Sequence, residues 1–170
     1  MANSPVKRQE HYSPTVSALK QARKHAEWQT HVPGSYTELD EKLQAAHANL
    51  GRGVAVVALS PAKTFITSVD HDTMQLQPDL TTINLNRLAK DAKKHRAEVH
   101  VLGAPASSPS GRSKLCQFVL KTLKSHGVVP NEIHAHSGNL TFTANHKTQS
   151  INVYLPIASA NGNKTRPEKS

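Results

Sequence analysis

The chain has 170 residues, with 21 Lys and Arg against 12 Asp and Glu, and a single cysteine, Cys116. This length suits one domain with extensions, and a lone cysteine excludes an internal disulfide bond. No apolar run approaches the roughly 20 residues of a membrane-spanning helix, so we expect no transmembrane segment. The formal charge of +9 favours polyanionic partners such as nucleic acid, anionic lipid or an acidic protein.

The first 35 residues are predicted to be a flexible leader that contains one short helix. Two Ser-Pro pairs and few apolar residues mark residues 1–16 as the flexible part. Apolar residues along one side of the stretch from Ser17 to Trp28 indicate the helix. Trp28 is the only tryptophan, and it either packs on its own domain or docks on a partner.

The main domain is predicted over residues 36–157, and it opens with a helix and a strand. An N-cap signal at Thr37 and an apolar stripe at helical spacing predict a helix that runs to Leu50. The continuous apolar run Val54–Leu59 predicts a strand that is buried on both faces. The stripe of the helix consists of Leu39, Leu43, Ala46 and Leu50.

Strand and helix patterns then follow one another through the domain. Their order, βαβαββ, predicts an α+β fold in which one mixed sheet carries two helices on one face, preceded by the N-terminal strand and helix. If the strands at 64–69 and 98–102 are parallel neighbours, their crossover is right-handed. Residues 158–170 are predicted to be a disordered tail. The predicted strands are 64–69, 98–102, 132–137, 140–144 and 151–155, and the predicted helices are 78–96 and 113–126.

Several phrases of this unit match a known bacterial family. They are Leu76-Gln-Pro-Asp-Leu80 at the first long helix, Ala97-Glu-Val-His-Val-Leu-Gly103 at the central strand and Gln149-Ser-Ile-Asn-Val-Tyr154 at the last strand. From about Lys63 to Ile157 the chain resembles the OmpA-like domain of envelope proteins. The resemblance implies a non-enzymatic cell-envelope scaffold, a structural component of a secretion or conjugation machine that contacts other envelope-complex proteins. Its location would be periplasmic if an export signal has been removed, and otherwise cytoplasmic.

The peptidoglycan-binding pair of that family is not retained. The family uses an Asp after the central-strand glycine and an Arg on the next helix, which match the ammonium and carboxylate of diaminopimelate. Here the Asp position falls on Ala106 and the Arg position falls near Leu115. Peptidoglycan binding through replacement residues is an alternative, with Arg112, Lys114 and Ser110 as the ligand-binding residues. These three lie where a Ser/Gly-rich loop meets a helix N-terminus, which is a natural anion site.

Histidines offer a second kind of candidate site. His134 and His136 lie two residues apart on a predicted strand and so share a face, and His100 can lie on a neighbouring strand. Three imidazoles could hold zinc, but no Cys/His spacing signature accompanies them. Polar residues on half-buried strands are the favoured interpretation. The sequence therefore predicts no metal site and no cofactor.

The remaining hypotheses concern catalysis and nucleic acid. No nucleophile elbow, phosphate-cradling glycine loop or metalloprotease helix is present, so we expect no catalytic residues and no enzyme. Cys116 shares an apolar helical stripe with Val119 and Leu123, which predicts a buried packing residue. A cytoplasmic nucleic-acid-binding protein is the competing function. The charge supports it, and the scarcity of exposed aromatic residues for base stacking argues against it.

Overall fold

The computed structural model describes residues 4–9, 28–105 and 111–154. The described residues form an α+β fold of three layers: helices, a central five-stranded sheet and a second five-stranded sheet. The strands are β1 Val6–Gln9, β2 Trp28–Thr30, β3 Tyr36–Leu39, β4 Ala45–Gly51, β5 Val54–Leu59, β6 Thr64–Val69, β7 Glu98–Ala104, β8 Glu132–Ala135, β9 Leu140–Asn145 and β10 Ser150–Tyr154. The helices are α1 His71–Leu76, α2 Pro78–His95 and α3 Gly111–Ser125.

Strand β5 lies at the centre of the central sheet, whose strand order is β3-β6-β5-β7-β8. It pairs antiparallel with β6 and β7, while β7 and β8 pair in parallel. Every residue of β5 is buried, and successive side chains enter different cores. The prediction of a strand buried on both faces is therefore confirmed. Val54, Val56 and Ala58 face the helices, and Ala55, Val57 and Leu59 face the second sheet.

Helices α2 and α3 cover the same face of the central sheet, as the apolar stripes predict. Pro78 stands in the first turn of α2, where its missing N–H costs no hydrogen bond. Cys116 is buried among the packing residues of α3, and burial raises the pKa of its thiol. The buried stripes are Leu85, Leu88, Ala89 and Ala92 on α2, and Leu115, Cys116, Val119 and Leu123 on α3.

The second sheet, of order β1-β10-β9-β4-β2, packs on the other face of the central sheet. The predicted single βαβαββ sheet is therefore wrong, because β9 and β10 belong to this separate layer. Strands β6 and β7 are not neighbours either, since β5 lies between them. Gly138 and Asn139 lie in the connection from β8 of the central sheet to β9 of the second sheet, so these consecutive strands form no hairpin.

The helix predicted from Thr37 to Leu50 is wrong, because two strands and a turn occupy this stretch. The Asp40 carboxylate accepts hydrogen bonds from the backbone N–H groups of Leu43 and Lys42, which close the turn and lower the pKa of Asp40. The apolar residues of β4 alternate, so Ala46, Ala48 and Leu50 all enter the core between the sheets. Burial between two sheets thus overrides the helix preference of Ala and Leu.

The predicted leader contributes two strands to the second sheet. Val6–Gln9 pairs in parallel with β10, and Trp28–Thr30 pairs in parallel with β4. The leader prediction is therefore wrong for these residues. The short helix predicted at 17–28 ends on Trp28, which instead begins β2, and its other residues lie outside the described part of the chain. The tail predicted at 158–170 also lies outside it.

Gly103 lies inside β7, where it allows a close approach of two backbones. Its φ of +98° is unfavourable for other residues, and an added Cβ would lie 2.7 Å from the Gly53 carbonyl oxygen. The pairing of β7 with β8 shifts register across this position. Gly103 therefore shapes the strand rather than opening a loop. Within the described residues, none of the helices has the length and apolar character required to span a lipid bilayer.

Candidate nucleic-acid interface

The three predicted anion-binding residues do not form a site among the described residues. Ser110 lies outside the described part of the chain. Lys114 is exposed on α3, whereas Arg112 is only 5% exposed and points into the protein. The prediction that they converge on a ligand is therefore not supported by the geometry.

Arg112 instead binds four backbone carbonyl groups. Its guanidinium donates to the oxygens of Gly51 and Arg52, where β4 passes into β5, at 3.0 and 3.3 Å. It also donates to the oxygens of His136 and Gly138, where β8 passes into β9, at 2.7 and 2.8 Å. A guanidinium has five N–H donors, and four are engaged here. Arg112 therefore holds together two places where the chain moves from one sheet to the other.

The three histidines that the sequence analysis considers as possible zinc ligands are divided between two places. His100 and His134 lie side by side on β7 and β8, with their ring centroids 5.5 Å apart. His136 lies beyond the end of β8, and its Nε2 hydrogen-bonds the Asn139 carbonyl oxygen at 2.8 Å. Burial lowers the pKa of His136, which favours its neutral ring. All three rings do not meet, because β8 ends at Ala135, before His136.

Positive charge is concentrated in the helical layer. Residues 78–96 and 111–127, which contain α2 and α3, carry nine Lys and Arg but only two Asp. The other described residues carry six Lys and Arg against seven Asp and Glu. These two segments thus have a formal charge of +7 and the rest of the described chain −1. Both long helices lie on one side of the central sheet, and all their cations except the buried Arg112 are exposed, which makes this side basic.

The basic face is built around the ends of the two long helices. Lys93 lies on α2 with its ammonium 3.4 Å from the His126 carbonyl oxygen, and His126 follows the end of α3. A shallow cleft with lysine side chains forms there, and further exposed lysines continue along α3. Lys90, Lys93, Lys94, Lys121 and Lys124 together are called the lysine face below. Within the described parts of the chain, no carboxylate forms an ion pair with any of these five lysines.

The two acidic residues of α2, Asp79 and Asp91, do not neutralise the lysine face. Asp91 accepts a hydrogen bond of 2.5 Å from the Tyr36 hydroxyl and lies 3.9 Å from Nε of Arg87. Burial and this hydrogen bond raise the pKa of Tyr36. Asp79 lies in the first turn of α2, at the helix end opposite to the lysines. The ammonium groups are therefore available to an anionic ligand.

The exposed side chains suit contacts with phosphate groups and do not suit base stacking. Among the side chains that the structure describes, the largely exposed apolar residues are aliphatic and include no aromatic ring. Stacking platforms for single-stranded bases need such rings. Lysine ammonium groups act as mobile point charges that suit phosphate oxygens. The geometry thus fits the nucleic-acid backbone better than its bases.

No protein-family model matches the chain, and no match is found among the curated proteins. The resemblance to the OmpA-like family therefore stays a prediction from the sequence, and so does the envelope scaffold that it implies. The engaged guanidinium of Arg112 removes the main residue through which replacement peptidoglycan binding was expected.

Proposed function

We propose that this protein binds nucleic acid through the phosphate backbone, with the lysine face as the contact surface. The observation that carries the proposal is the separation of charge between residues 78–96 and 111–127, at +7, and the rest of the described chain, at −1. A surface of one sign attracts a polyanion and orients it before contact.

The helix geometry places the lysines at a spacing that a phosphate chain can follow. Lys90, Lys93 and Lys94 lie within about one turn of α2, which rises about 5.4 Å. Their position in the last turns also stabilises their charge, because the helix dipole is negative at the C-terminal end. The flexible stems carry the ammonium groups away from that end into solvent. Each can therefore meet a phosphate without first breaking an ion pair.

Such a surface gives binding that is independent of sequence and sensitive to salt. Each lysine that contacts a phosphate releases condensed counterions from the nucleic acid. Five contacts to duplex DNA predict a slope of log K against log salt of about −4.5. Because no exposed aromatic side chain is described, substitutions in the nucleic-acid sequence should change the affinity little.

The experiment measures fluorescence anisotropy of labelled duplex and single-stranded oligonucleotides from about 50 mM salt upward. We expect the triple variant Lys90→Ala, Lys93→Ala, Lys94→Ala to weaken binding about tenfold or more at the lowest salt. The magnitude of its salt slope should fall by about 2–3. The matched control is Lys42→Ala, Arg52→Ala, Lys147→Ala, which removes three exposed cations outside the helical layer.

Comparison of the two triple variants shows whether binding depends on the lysine face or only on the net charge of the protein. Equal losses in both variants would contradict the lysine face, since each removes the same net charge. No binding of the wild type to either oligonucleotide at the lowest salt would refute nucleic-acid binding altogether. Vesicles with and without anionic lipid serve as the other polyanion, and binding only to the anionic vesicles would reassign the face to a membrane surface.

A further inference from the structure

A compact group of histidine and glutamate side chains lies on strands β7 and β8, on the face of the central sheet that is turned away from the helices. These strands are parallel neighbours, and His100 is the register partner of Glu132. Alternation along each strand places Glu98, His100, Glu132 and His134 on the same face of the sheet. His100 is fully buried, His134 is 15% exposed at its side chain, and the two carboxylates reach solvent.

Three atoms of this group form a nearly equilateral triangle. Nδ1 of His100 lies 3.2 Å from Nε2 of His134 and 3.3 Å from Oε1 of Glu132. The third side, between Nε2 of His134 and Oε1 of Glu132, is 3.4 Å. A tetrahedral zinc ion with bonds of about 2.0–2.1 Å separates its ligand atoms by about 3.3–3.4 Å. The triangle therefore has the dimensions of one face of a zinc coordination tetrahedron.

The outer contacts orient these atoms as a metal site requires. Nε2 of His100 lies 2.7 Å from Oε1 of Glu98, so a proton on Nε2 is donated to that carboxylate. In the neutral ring Nδ1 then carries the lone pair that points into the triangle. A carboxylate on the far nitrogen is the usual partner of a metal-binding histidine. Glu132 is held as well, because the Ser4 hydroxyl donates to its Oε1 at 2.5 Å.

The triangle also lacks internal charge balance. The Nδ1 lone pair of His100 and the Glu132 carboxylate face each other at 3.3 Å, and their repulsion is relieved either by a hydrogen on His134 Nε2, which lies within 3.4 Å of both atoms, or by a bound cation. The cationic side chain that faces the group from β1 is Arg8, but its guanidinium donates to the Ala135 carbonyl oxygen at 2.9 Å. Glu98 and Glu132 together match the charge of a divalent ion.

We propose that His100 Nδ1, His134 Nε2 and Glu132 Oε1 bind one divalent transition-metal ion. Two imidazoles and one carboxylate at tetrahedral spacing favour Zn²⁺, and the fourth position is open to water on the solvent side. Metal binding would fasten β8, which has only a four-residue ladder to β7, to the fully buried ring of His100. The site would stabilise this edge of the fold, since a ligand that binds only the folded state raises its stability.

The test uses the full chain, without an affinity tag and stripped with a chelator. Zn²⁺ is titrated by calorimetry, Co²⁺ by visible absorption, and thermal unfolding is followed with and without each ion. We expect one ion per chain, the strong d–d absorption of four-coordinate Co²⁺, and a higher Tm with metal. Glu132→Gln and His134→Gln, both at partly exposed positions, should each weaken binding about 100-fold. The matched control His71→Gln removes an exposed histidine on α1 and should bind like the wild type.

Two results would contradict metal binding by this group. A wild type that shows no saturable Zn²⁺ binding and no Co²⁺ absorption would overturn the proposal and leave a shared proton as the cation of the triangle. Equal metal affinity in the wild type, Glu132→Gln and His134→Gln would overturn it as well, because the ion would then lie on other histidines. Circular dichroism of the two variants shows whether a loss reflects the site or a failure to fold.

Discussion

Nη1 of Arg112 donates a hydrogen bond of 2.7 Å to the backbone oxygen of His136, at the point where the chain leaves the central sheet for the second sheet. The same guanidinium donates to the Gly51 carbonyl oxygen, where the chain passes from β4 of the second sheet to β5 of the central sheet. The first residues of α3 are thereby tied to both connections. The Arg112 side chain thus joins the first turn of α3 directly to the end of β4 in the second sheet.

Arg112→Ala is expected to lower the free energy of unfolding by about 3–5 kcal/mol, because it leaves buried carbonyl oxygens without a donor. Arg112→Lys should recover only part of this loss, since an ammonium has three donors where four are used. Urea unfolding followed by circular dichroism measures both. Lys114→Ala, at an exposed position on the same helix, is the control and should change stability by about 0.5 kcal/mol or less. Similar values for Arg112→Ala and Lys114→Ala would contradict a structural role for Arg112.

Gly103→Ala is expected to destabilise the protein by about 3 kcal/mol or more, because strain at positive φ is added to a backbone collision. The added Cβ would meet the Gly53 carbonyl oxygen at 2.7 Å, which no side-chain movement can relieve. Gly51→Ala is the matched control, since Gly51 also has positive φ but no atom lies within 4 Å of an added Cβ. Gly51→Ala should lower the free energy of unfolding by about 1 kcal/mol. Equal losses of stability in urea would show that the close approach is unimportant.

The buried imidazole of His31 is expected to make stability depend on pH. Its Nδ1 and Nε2 lie 2.8 and 2.9 Å from the hydroxyl oxygens of Thr37 and Ser68. Burial lowers the pKa of His31 from 6.5 to about 4. The unfolded chain therefore binds the proton more readily than the folded chain. The contribution of His31 is complete above pH 6.5 and is lost as the pH falls from 6.5 towards 4.

Unfolding in urea at about pH 7.5 and about pH 4.5 tests this prediction. The wild type should lose about 2–3 kcal/mol more than His31→Gln between the two conditions, because each unit of pKa difference corresponds to about 1.4 kcal/mol. The difference between the two proteins isolates His31 from the other titrating groups. Parallel pH profiles for the wild type and His31→Gln would disprove a depressed pKa of His31.

The sequence predicts an element well where its residue pattern fits only one type of secondary structure. Val54–Leu59 is apolar at every position and too short for a buried helix, so a central strand was the natural interpretation. Helix α2 has a start signal at Pro78 and a long apolar stripe, and its predicted and observed bounds differ by one residue at the C-terminus. These local signals depend little on what packs against them.

The stretch from Thr37 to Leu50 shows why other local signals fail. Its apolar residues satisfy the helical period, but Ala46, Ala48 and Leu50 also satisfy the strand period. Ala and Leu favour helices in isolation, and only burial between two sheets decides for the strand. Asp40 similarly fits a helix cap and a tight turn, since both use its carboxylate to accept backbone N–H groups.

The candidate sites were partly predictable. Alternation placed His100 and His134 on strand faces, but the two glutamates enter the group only through the parallel register of β7 and β8. That register depends on how α3 returns the chain, which no local pattern encodes. The sequence predicts Arg112 as an anion-binding residue. Its carbonyl partners come from two connections that are distant in the sequence, so the sequence does not indicate them. The positive charge of the lysine face is evident from the sequence. Its separation from the nearly neutral sheets follows only from the three-layer arrangement.

Strands β1 and β2 are the two edge strands of the second sheet, and both come from the first 30 residues. Composition alone would place the domain boundary at residue 35, and a protein that lacks the residues before it would lose both edge strands. Strands β10 and β4 would then present unpaired backbone N–H and C=O groups to solvent, which invites pairing between molecules and aggregation. Backbone pairing, rather than composition, thus sets where this chain can be shortened without exposing the edges of β10 and β4.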